Sequence, residues 1–475
     1  MTFRRITFIA LAVLVLLALL AVVLISRIDT DSYRDTLEQA VAERVNATLE
    51  IGGSLRLHLF PSPVISAADL SLMQGGTEVA SAEKVDVHLD WATFWRGKPV
   101  LRRVTLVAPS LHLVRDASGN LNLKPTQTAP AGNEEGFSLA RLQVEDGALS
   151  LTQHTDGASQ RIQASALMLD LRDIRLAPSD APLLQRVTLQ GQLQTATLDI
   201  SDTTARDVAL DIDAGDGLLT LANLRGSLFD GTANGSLKAD YSDTSPVYNL
   251  SLTLQNFSLQ HFLQQLASDQ QASGRLNFTA ALRTHGRSLD DWLSHLEGDA
   301  TLRGDQLVIE GMDIDNELSR YQSTQRFSLV DFGAMAFAGP IGIAATKGAG
   351  FARLFERAQG SSDINALISD WQINQGIARA RDTAMSTEKN RLVVLGEVDL
   401  GSRRFSDTRV AVVDRRGCVV MEQGITGPFS APQVQSVSYV KALLGAPLDL
   451  LRQGLSLVEM DEECEPVYEG SIVAP

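Results

Sequence analysis

The chain has 475 residues, a net charge of −16 and an apolar fraction of 44%. This length allows two or three domains or one elongated domain, and the composition is that of a folded protein. Because a phosphate backbone requires a basic surface, the acidic balance argues against nucleic acid as a partner.

The N-terminus carries an apolar run over residues 6–25 whose only polar member is Thr7. As a helix, this run would be about 30 Å long, which matches the hydrocarbon core of a bilayer. Arg4 and Arg5 precede it and favour a cytoplasmic N-terminus. We therefore predict a cytoplasmic stub over 1–5, a single transmembrane anchor over 6–26 in the cell inner membrane, and a periplasmic remainder. The alternative is a cleaved signal peptide, but the run is long and Leu24–Arg27 is a poor cleavage site.

Residues 27–136 form the predicted N-terminal periplasmic region. Tyr33, Leu37, Val41 and Val45 recur every four residues and predict an amphipathic helix over 29–48. From Leu55 onward the apolar residues alternate with polar ones, which is typical of strands with one buried face.

The alternation continues through residues 137–295, with no helix of ten or more residues expected between 137 and 255. The pairs Asp146-Gly147, Asp216-Gly217, Asp230-Gly231 and Asn234-Gly235 suit hairpin turns. Without crossover helices, neighbouring strands are expected to pair antiparallel. Their apolar face then needs either a second sheet to pack against or something apolar to curl around.

Helices return in the predicted C-terminal α+β region, residues 296–475, and just before it. Leu259–Leu266, Leu289–Leu296 and residues 361–384 are the helix predictions, the last with a break near Gly376. Strands are predicted over 298–309, 391–399 and 408–414. The apolar stretch 332–351 contains too many glycines for a second membrane span. An amphipathic stretch over 436–457 and an irregular acidic tail complete the chain.

Two cysteines, Cys418 and Cys464, are the only ones in the chain. In the oxidising compartment that the predicted topology implies, a disulfide between them is expected. Two free thiols are the alternative.

None of the candidate catalytic or metal-binding motifs in the sequence is complete. The seven histidines lack zinc-motif spacing, and most of the first four lie opposite the apolar faces of predicted strands. Two S-x-x-K matches, beginning at Ser81 and Ser386, lack the companion motifs of serine acyl enzymes. The segment Asp211–Ala222 fails the calcium-loop pattern at three positions. We therefore expect neither a catalytic residue nor a metal or other cofactor.

Three regions together resemble the AsmA family of bacterial envelope proteins. The first is the anchor with the segment from Asp29 to Arg34 and the strand and proline turn from Gly53 to Pro63. The second runs from Leu296 to Ile314, and the third comprises Leu395–Leu400 followed by Ile425–Val434. In the third region Pro428 and Phe429 depart from the usual pair.

The resemblance implies a mainly β protein with flanking helices, whose elongated antiparallel sheet curls into a groove. It also implies a non-enzymatic role in outer-membrane biogenesis, with phospholipid bound or transferred in that groove, and it allows other envelope proteins as partners. The alternatives are a scaffold that modulates outer-membrane protein assembly and an envelope hydrolase. The candidate groove lining is the alternating aliphatic set of Leu149, Leu151, Leu167, Leu169, Leu171, Val187, Leu189, Leu198, Ile200, Val208, Leu210, Ile212, Leu250, Leu252 and Leu254.

Overall fold

The computed structural model describes residues 47–58, 60, 62–92, 100–116, 121–123, 136–155, 158–179, 181–201, 203–265, 271–311, 313–316, 318–319, 360–436, 438–439 and 464–475. The predicted anchor over 6–26, residues 29–46 of the helix predicted over 29–48, the stretch 332–351 and most of 436–457 lie outside these residues. Thr48, the last residue of that predicted helix, is instead the first residue of a strand. Within the described ranges, no helix is long and apolar enough to cross a bilayer.

The chain divides into two compact units. Unit 1 comprises Met1–Ser227 and Asn234–Pro246, and unit 2 comprises Leu228–Ala233 and Val247–Pro475. The strands up to the division are β1 Thr48–Ile51, β2 Leu55–His58, β3 Val64–Gln74, β4 Thr77–Leu89, β5 Leu101–Val107, β6 Ser110–Arg115, β7 Phe137–Thr155, β8 Ala158–Leu176, β9 Val187–Ile200, β10 Thr203–Gly215, β11 Leu218–Leu228 and β12 Gly231–Asp240. The strands after it are β13 Val247–Ser258, β14 Ala272–His285, β15 Glu297–Glu310, β16 Ser361–Asn374, β17 Ile377–Thr387, β18 Arg391–Asp399, β19 Arg404–Val413, β20 Val419–Pro428, β21 Gln433–Val434 and β22 Ser438–Tyr439.

The chain is mainly β, as predicted, but its sheet is mixed rather than antiparallel. In unit 1, β1 and β2 both pair with β3, β3 pairs with β4, and β7 to β10 follow one another antiparallel. However, β5 and β6 both run parallel to β7. The expectation of a purely antiparallel sheet is therefore wrong. A parallel pair needs a connection of about a dozen residues or more, and residues 116–136 between β6 and β7 supply it.

Unit 2 is an antiparallel sheet in which β13 to β20 pair in chain order. The short strands β21 and β22 both pair with β20. Its main core lies on one face of the sheet and includes Phe257, Leu276 and Trp371, each at most 1% exposed.

The helices are short. Among the described residues they include α1 Leu183–Arg186, α2 Leu259–Gln265 and α3 Leu289–Ser294, and residues 314–316 and 318–319 are helical as well. Helices α2 and α3 confirm the helices predicted before residue 296, and α3 begins with a capping box between Ser288 and Asp291. Between 137 and 255 the described residues hold no helix longer than α1, as expected, and β15, β18 and β19 confirm the three predicted C-terminal strands.

The helix predicted over 361–384 is wrong, because these residues form β16, a hairpin turn and β17. Five consecutive residues of β16, 367–371, are buried, so both faces of this strand are covered. Apolar spacing of that kind cannot be told from a helix by periodicity alone. The expected break near Gly376 is instead a two-residue turn, with Gln375 and Gly376 at φ 47° and 76°.

Two of the four predicted hairpin turns are confirmed. Asp216-Gly217 joins β10 to β11, and Asp230 joins β11 to β12. Asn234-Gly235 lies inside β12, and Asp146-Gly147 lies inside β7 as a bulge, so those two predictions are wrong. A Cβ at Gly147 would lie 2.8 Å from Val144 Cγ1, so glycine serves close packing at this bulge.

A row of irregular residues crosses the strands of unit 1. Asp69 in β3, Ala108 between β5 and β6, Asp146 in β7, Ala166 in β8 and Asp207 in β10 all have φ between 46° and 54°. The strand registers place these positions at one level across the sheet, although β4 and β9, which lie between some of these strands, have no such residue. We call this row the crease. A residue of this kind shifts the alternation of its strand by one position and bends the strand, so the crease bends the sheet along one line.

The crease gives a testable expectation at Asp207, whose side chain is exposed. Asp207→Val should lower the free energy of unfolding by about 1–2 kcal/mol, because a β-branched residue resists positive φ. Asp207→Gly should change it by less than about 0.5 kcal/mol, since glycine adopts this conformation freely. Urea unfolding of both variants measures the difference, and equal effects would contradict the role of the backbone conformation.

The C-terminal tail, residues 464–475, covers the second face of the unit 2 sheet. It has no regular structure, as predicted, yet Tyr468 and Ile472 are each 7% exposed and pack against Ile368, Val393 and Ala411. Cys418 and Cys464 are placed to form a disulfide, with their Cα atoms 6.1 Å apart, and this distance supports the predicted bridge.

Polar contacts also fix the tail. The Tyr468 hydroxyl donates to Asp382 Oδ1 at 2.6 Å, and the Ser471 amide donates to Asp382 Oδ2 at 2.9 Å. Arg391 donates to the Ile472 carbonyl at 2.9 Å and lies over the Tyr468 ring. Burial, followed by the hydrogen bond to Asp382, raises the pKa of Tyr468.

Candidate functional site

One face of the sheet over β8, β9 and β10 is aliphatic from end to end. Cross-strand pairing sets residues opposite one another on the same face. The rows are Ile162–Ile200–Thr203, Ala164–Leu198–Ala205, Leu169–Leu193–Leu210 and Leu171–Gly191–Ile212. We call these residues the apolar face. The first two rows lie on one side of the crease and the last two on the other.

The crease explains why this face remains apolar over its full length. Along β10, Ala205 lies at an odd position whereas Leu210 and Ile212 lie at even ones, and Asp207, with φ 51°, lies between them. The register with β9 is unbroken there, so β10 gains no residue relative to β9. The same shift separates Ala164 from Leu169 in β8, where Ala166 has φ 48°. Without the shift, half of each strand would turn its aliphatic side chains to the opposite face.

Most of the apolar face is only half-buried. Leu169, Leu193, Leu198, Leu210 and Ile212 are all of intermediate exposure, and Ile200 is 51% exposed. By contrast, β3, β4 and β5 bury Val85, Val87 and Val104 to 3% exposure or less in a closed core. Ile162, Leu169 and Ile212 of the apolar face also pack against that core. Unit 1 thus combines a closed core with an aliphatic surface that continues from it and remains half-exposed, a feature that marks binding sites in soluble domains.

The structure brings eight of the predicted lining residues together. Leu169, Leu171, Leu198, Ile200, Leu210 and Ile212 lie on the apolar face. Leu149 and Leu151 of β7 pair with its members Ala164 and Ile162. Of these, Leu151 and Leu171 are buried at the margin of the closed core.

The remaining predicted lining residues lie elsewhere in the fold. Val187 is 4% exposed in a small cluster beneath α1, and Leu189 packs partly against it. Leu167 and Val208 pair with Gly147 and Thr195 beside the crease. In unit 2, Leu254 is buried in the core, Leu252 packs against that core, and Leu250 is half-buried.

Sequence reasoning missed Ile162, Ala164, Leu193 and Ala205. These residues are separated from the predicted ones by the change of phase at the crease, so a strict period of two does not collect them. The available signal was a polar or small residue, such as Asp207, after which the aliphatic positions resume one residue late. Asp and Asn tolerate positive φ better than other non-glycine residues, which makes them a plausible marker of such a shift.

The opposite face of the same strands is polar and held by ion pairs. Arg141 of β7 donates two hydrogen bonds to Asp170 of β8, at 2.8 and 2.7 Å, and Arg172 donates a third at 2.9 Å. The hydrogen bonds from Arg141 lower the pKa of Asp170 to about 2, against the opposing effect of burial. A cavity of about 300 Å³ beside this pair is lined mainly by polar residues, among them Gln192, Asp211 and Asp213. The sheet therefore has one wet face and one aliphatic face.

The low pKa of Asp170 predicts a pH-dependent contribution to stability. Because the folded pKa of about 2 lies below the ordinary aspartate value of 3.8, the stabilisation is fully present above pH 3.8 and is lost as the pH falls towards 2. At pH 7, Asp170→Asn should lower the free energy of unfolding by about 1–2 kcal/mol, allowing for partial exposure. Urea unfolding at pH 7 and near pH 2 measures this, and a deficit of Asp170→Asn that does not shrink in acid would contradict it.

Among the described residues, no group of three or more His, Cys, Asp or Glu side chains is placed to hold a metal ion. The rows of the apolar face carry no charged side chain, and their one hydroxyl is that of Thr203 at the end of the face. Its aliphatic side chains can therefore exclude water from an apolar ligand.

Comparison of the sequence with known protein families identifies one match. The family model of the AsmA family matches the chain twice, over residues 1–179 and 178–383. No curated protein matches the chain significantly. The matched ranges include the first two regions of resemblance and the whole apolar face, whereas the third region, beyond residue 394, lies outside them. The two matches cover most of the sequence, and the chain is a member of the AsmA family.

Proposed function

We propose that this protein is anchored in the bacterial inner membrane, extends into the periplasm, and binds or transfers phospholipid on its apolar face in support of outer-membrane biogenesis. Membership of the AsmA family suggests a role in envelope biogenesis or lipid transfer. The half-buried apolar face over β8–β10 is the observation that carries the phospholipid part of the proposal.

The physical basis is the removal of acyl chains from water. Each buried methylene contributes about 0.8 kcal/mol, so a few contacts per chain suffice for binding without any specific polar contact. β9 and β10 have 14 and 13 residues, and at about 3.3 Å per residue they are more than 40 Å long. Strands of that length accommodate a whole acyl chain along or across them.

The crease supports a curved surface rather than a flat one. Bulges bend a strand and increase its twist, and the β7–β8 pairing is irregular at Gly147. At the same level, β3, β8 and β10 each have a residue with positive φ. A sheet bent along one line has a concave side, and apolar side chains on that side enclose a ligand better than a flat sheet does. In this proposal the protein is not an enzyme and needs no cofactor.

A non-enzymatic scaffold for outer-membrane protein assembly is the second candidate. The observation in its favour is the closed core of β3–β5 and β7, in which Leu142 and Leu151 are buried rather than available to a ligand. Such a core suits a rigid platform for protein contacts as well as it suits the wall of a groove.

The proposal is tested by purifying the full chain from membranes and measuring the phospholipid bound per chain by mass spectrometry. Phospholipid retained after exchange into lipid-free conditions supports the lipid-binding function. A lipid-free chain that captures an outer-membrane assembly protein would support the scaffold instead. Turnover of an ester or a glycan would overturn both in favour of a hydrolase.

A further inference from the structure

The end of the unit 1 sheet at which β2 and β4 terminate has an unusual surface. Phe60 follows β2 and is 88% exposed, Trp91 follows β4 and is 41% exposed, and Leu57 of β2 is 42% exposed. The register sets the last residue of β2, His58, beside Val64, and sets Val64 beside His88 near the end of β4. These three large apolar side chains therefore belong to one end of the sheet, which we call the aromatic end.

Basic residues surround the aromatic end. Arg102 pairs with Asp90 at 2.8 Å and Lys84 pairs with Asp86 at 2.6 Å, so both carboxylates there already have a basic partner. Arg56 and Arg103 are exposed and add two further positive charges. This local excess contrasts with the net charge of −16 for the chain.

We infer that the aromatic end docks on the surface of a lipid bilayer that contains anionic phospholipid. Tryptophan and phenylalanine favour the interface, where the ring reaches the acyl region. Arginines beside them favour the negative surface potential of anionic headgroups. A protein partner would gain from the same apolar groups, but it would not by itself explain basic residues gathered on an acidic chain.

The inference is independent of lipid binding on the apolar face. That face concerns single lipid molecules held by β8–β10, whereas the aromatic end concerns the surface of an intact bilayer. The Leu210→Asp variant of the apolar face should therefore leave docking of the aromatic end unchanged, and failure of one proposal does not entail failure of the other.

The test uses the full chain reconstituted with vesicles of phosphatidylcholine and phosphatidylglycerol that carry brominated acyl chains, which quench nearby tryptophan. Phe60→Trp adds one tryptophan at the aromatic end. Val114→Trp adds one at the opposite end of the unit 1 sheet, because Val114 is 39% exposed and pairs with Thr152 near the end of β7. The fluorescence added by Phe60→Trp should be quenched more than about twofold more strongly than that added by Val114→Trp, because only the former reaches the acyl region.

Charge reversal completes the test. Adding Arg56→Glu and Arg103→Glu to Phe60→Trp should reduce the quenching, and so should omission of phosphatidylglycerol. Equal quenching at positions 60 and 114 would overturn the inference. So would a blue-shifted but unquenched tryptophan at position 60, which would indicate a protein partner. Quenching insensitive to both the arginines and the anionic lipid would also overturn it.

Discussion

Leu210→Asp is expected to remove most of the phospholipid that co-purifies with the full chain. Leu210 pairs with Leu193 at the centre of the apolar face, and Leu193 pairs with Leu169. A carboxylate placed against acyl chains costs several kcal/mol unless it finds a partner. Bound phospholipid per chain, measured by mass spectrometry, should therefore fall by about tenfold or more, since about 1.4 kcal/mol corresponds to a factor of ten.

The matched control is Gln194→Asp. Gln194 is adjacent to Leu193 on β9, points to the polar face and is exposed. Gln194→Asp introduces the same charge into the same region of the sheet. Because this charge lies on the polar face, the variant should leave bound phospholipid unchanged. Because position 210 is half-buried, the carboxylate introduced by Leu210→Asp stays hydrated in the ligand-free protein. The variant should therefore remain folded and unfold cooperatively. Equal lipid content in the two variants would argue against the apolar face as the binding site.

The second large effect concerns the C-terminal tail. The double variant Cys418→Ala and Cys464→Ala should lower the free energy of unfolding by about 3–4 kcal/mol, because the bridge closes a long loop in the unfolded chain. The two cysteines are 46 residues apart. Alanine is chosen because Cys418 is 5% exposed, so serine would bury a hydroxyl group. Urea unfolding of the oxidised protein and the double variant measures the change.

The folded-state contacts of the tail are probed separately by Tyr468→Phe. This change leaves the ring in place and removes only the hydroxyl that donates to Asp382, so it should cost about 1–2 kcal/mol. If the double cysteine variant were no less stable than the oxidised protein, the contribution of the bridge through the unfolded chain would be contradicted.

The mainly β fold follows from the sequence because one-sided burial imposes a period of two. Val85, Val87 and Leu89 illustrate this, since all three are buried on one face of β4. The short helices α2 and α3 were also predictable. Ser288 and Asp291 form the capping box of α3, a local signal that needs no tertiary information.

The helix prediction for residues 361–384 failed because of tertiary packing. Ile368 packs beneath the tail, whereas Leu367 and Trp371 face the main core, so the strand is buried on both sides. The covering residue Tyr468 lies 100 positions further along the chain, and no local pattern announces it. The parallel pairing of β5 and β6 with β7 was equally hidden, because it depends on where the chain returns after residues 116–136.

Only part of the candidate site was predictable, because part of it depends on how distant strands pair. Leu169, Leu198 and Leu210 follow a local alternation and were found from the sequence. Whether Leu171 borders a closed core, or Leu193 belongs to the face, depends on strand register and on the shift of phase at Asp207. Register is a property of paired strands, so a single strand does not reveal it.

The most direct measurement of the central claim is photocrosslinking in living cells. The full chain would carry a photoreactive phenylalanine analogue in place of Leu210, Leu198 or Gln194, in three separate variants. If the apolar face holds phospholipid, the first two should yield a covalent phospholipid adduct on irradiation and the third should not. Irradiation that gives no lipid adduct at Leu210 and Leu198, or as much at Gln194, would contradict the account.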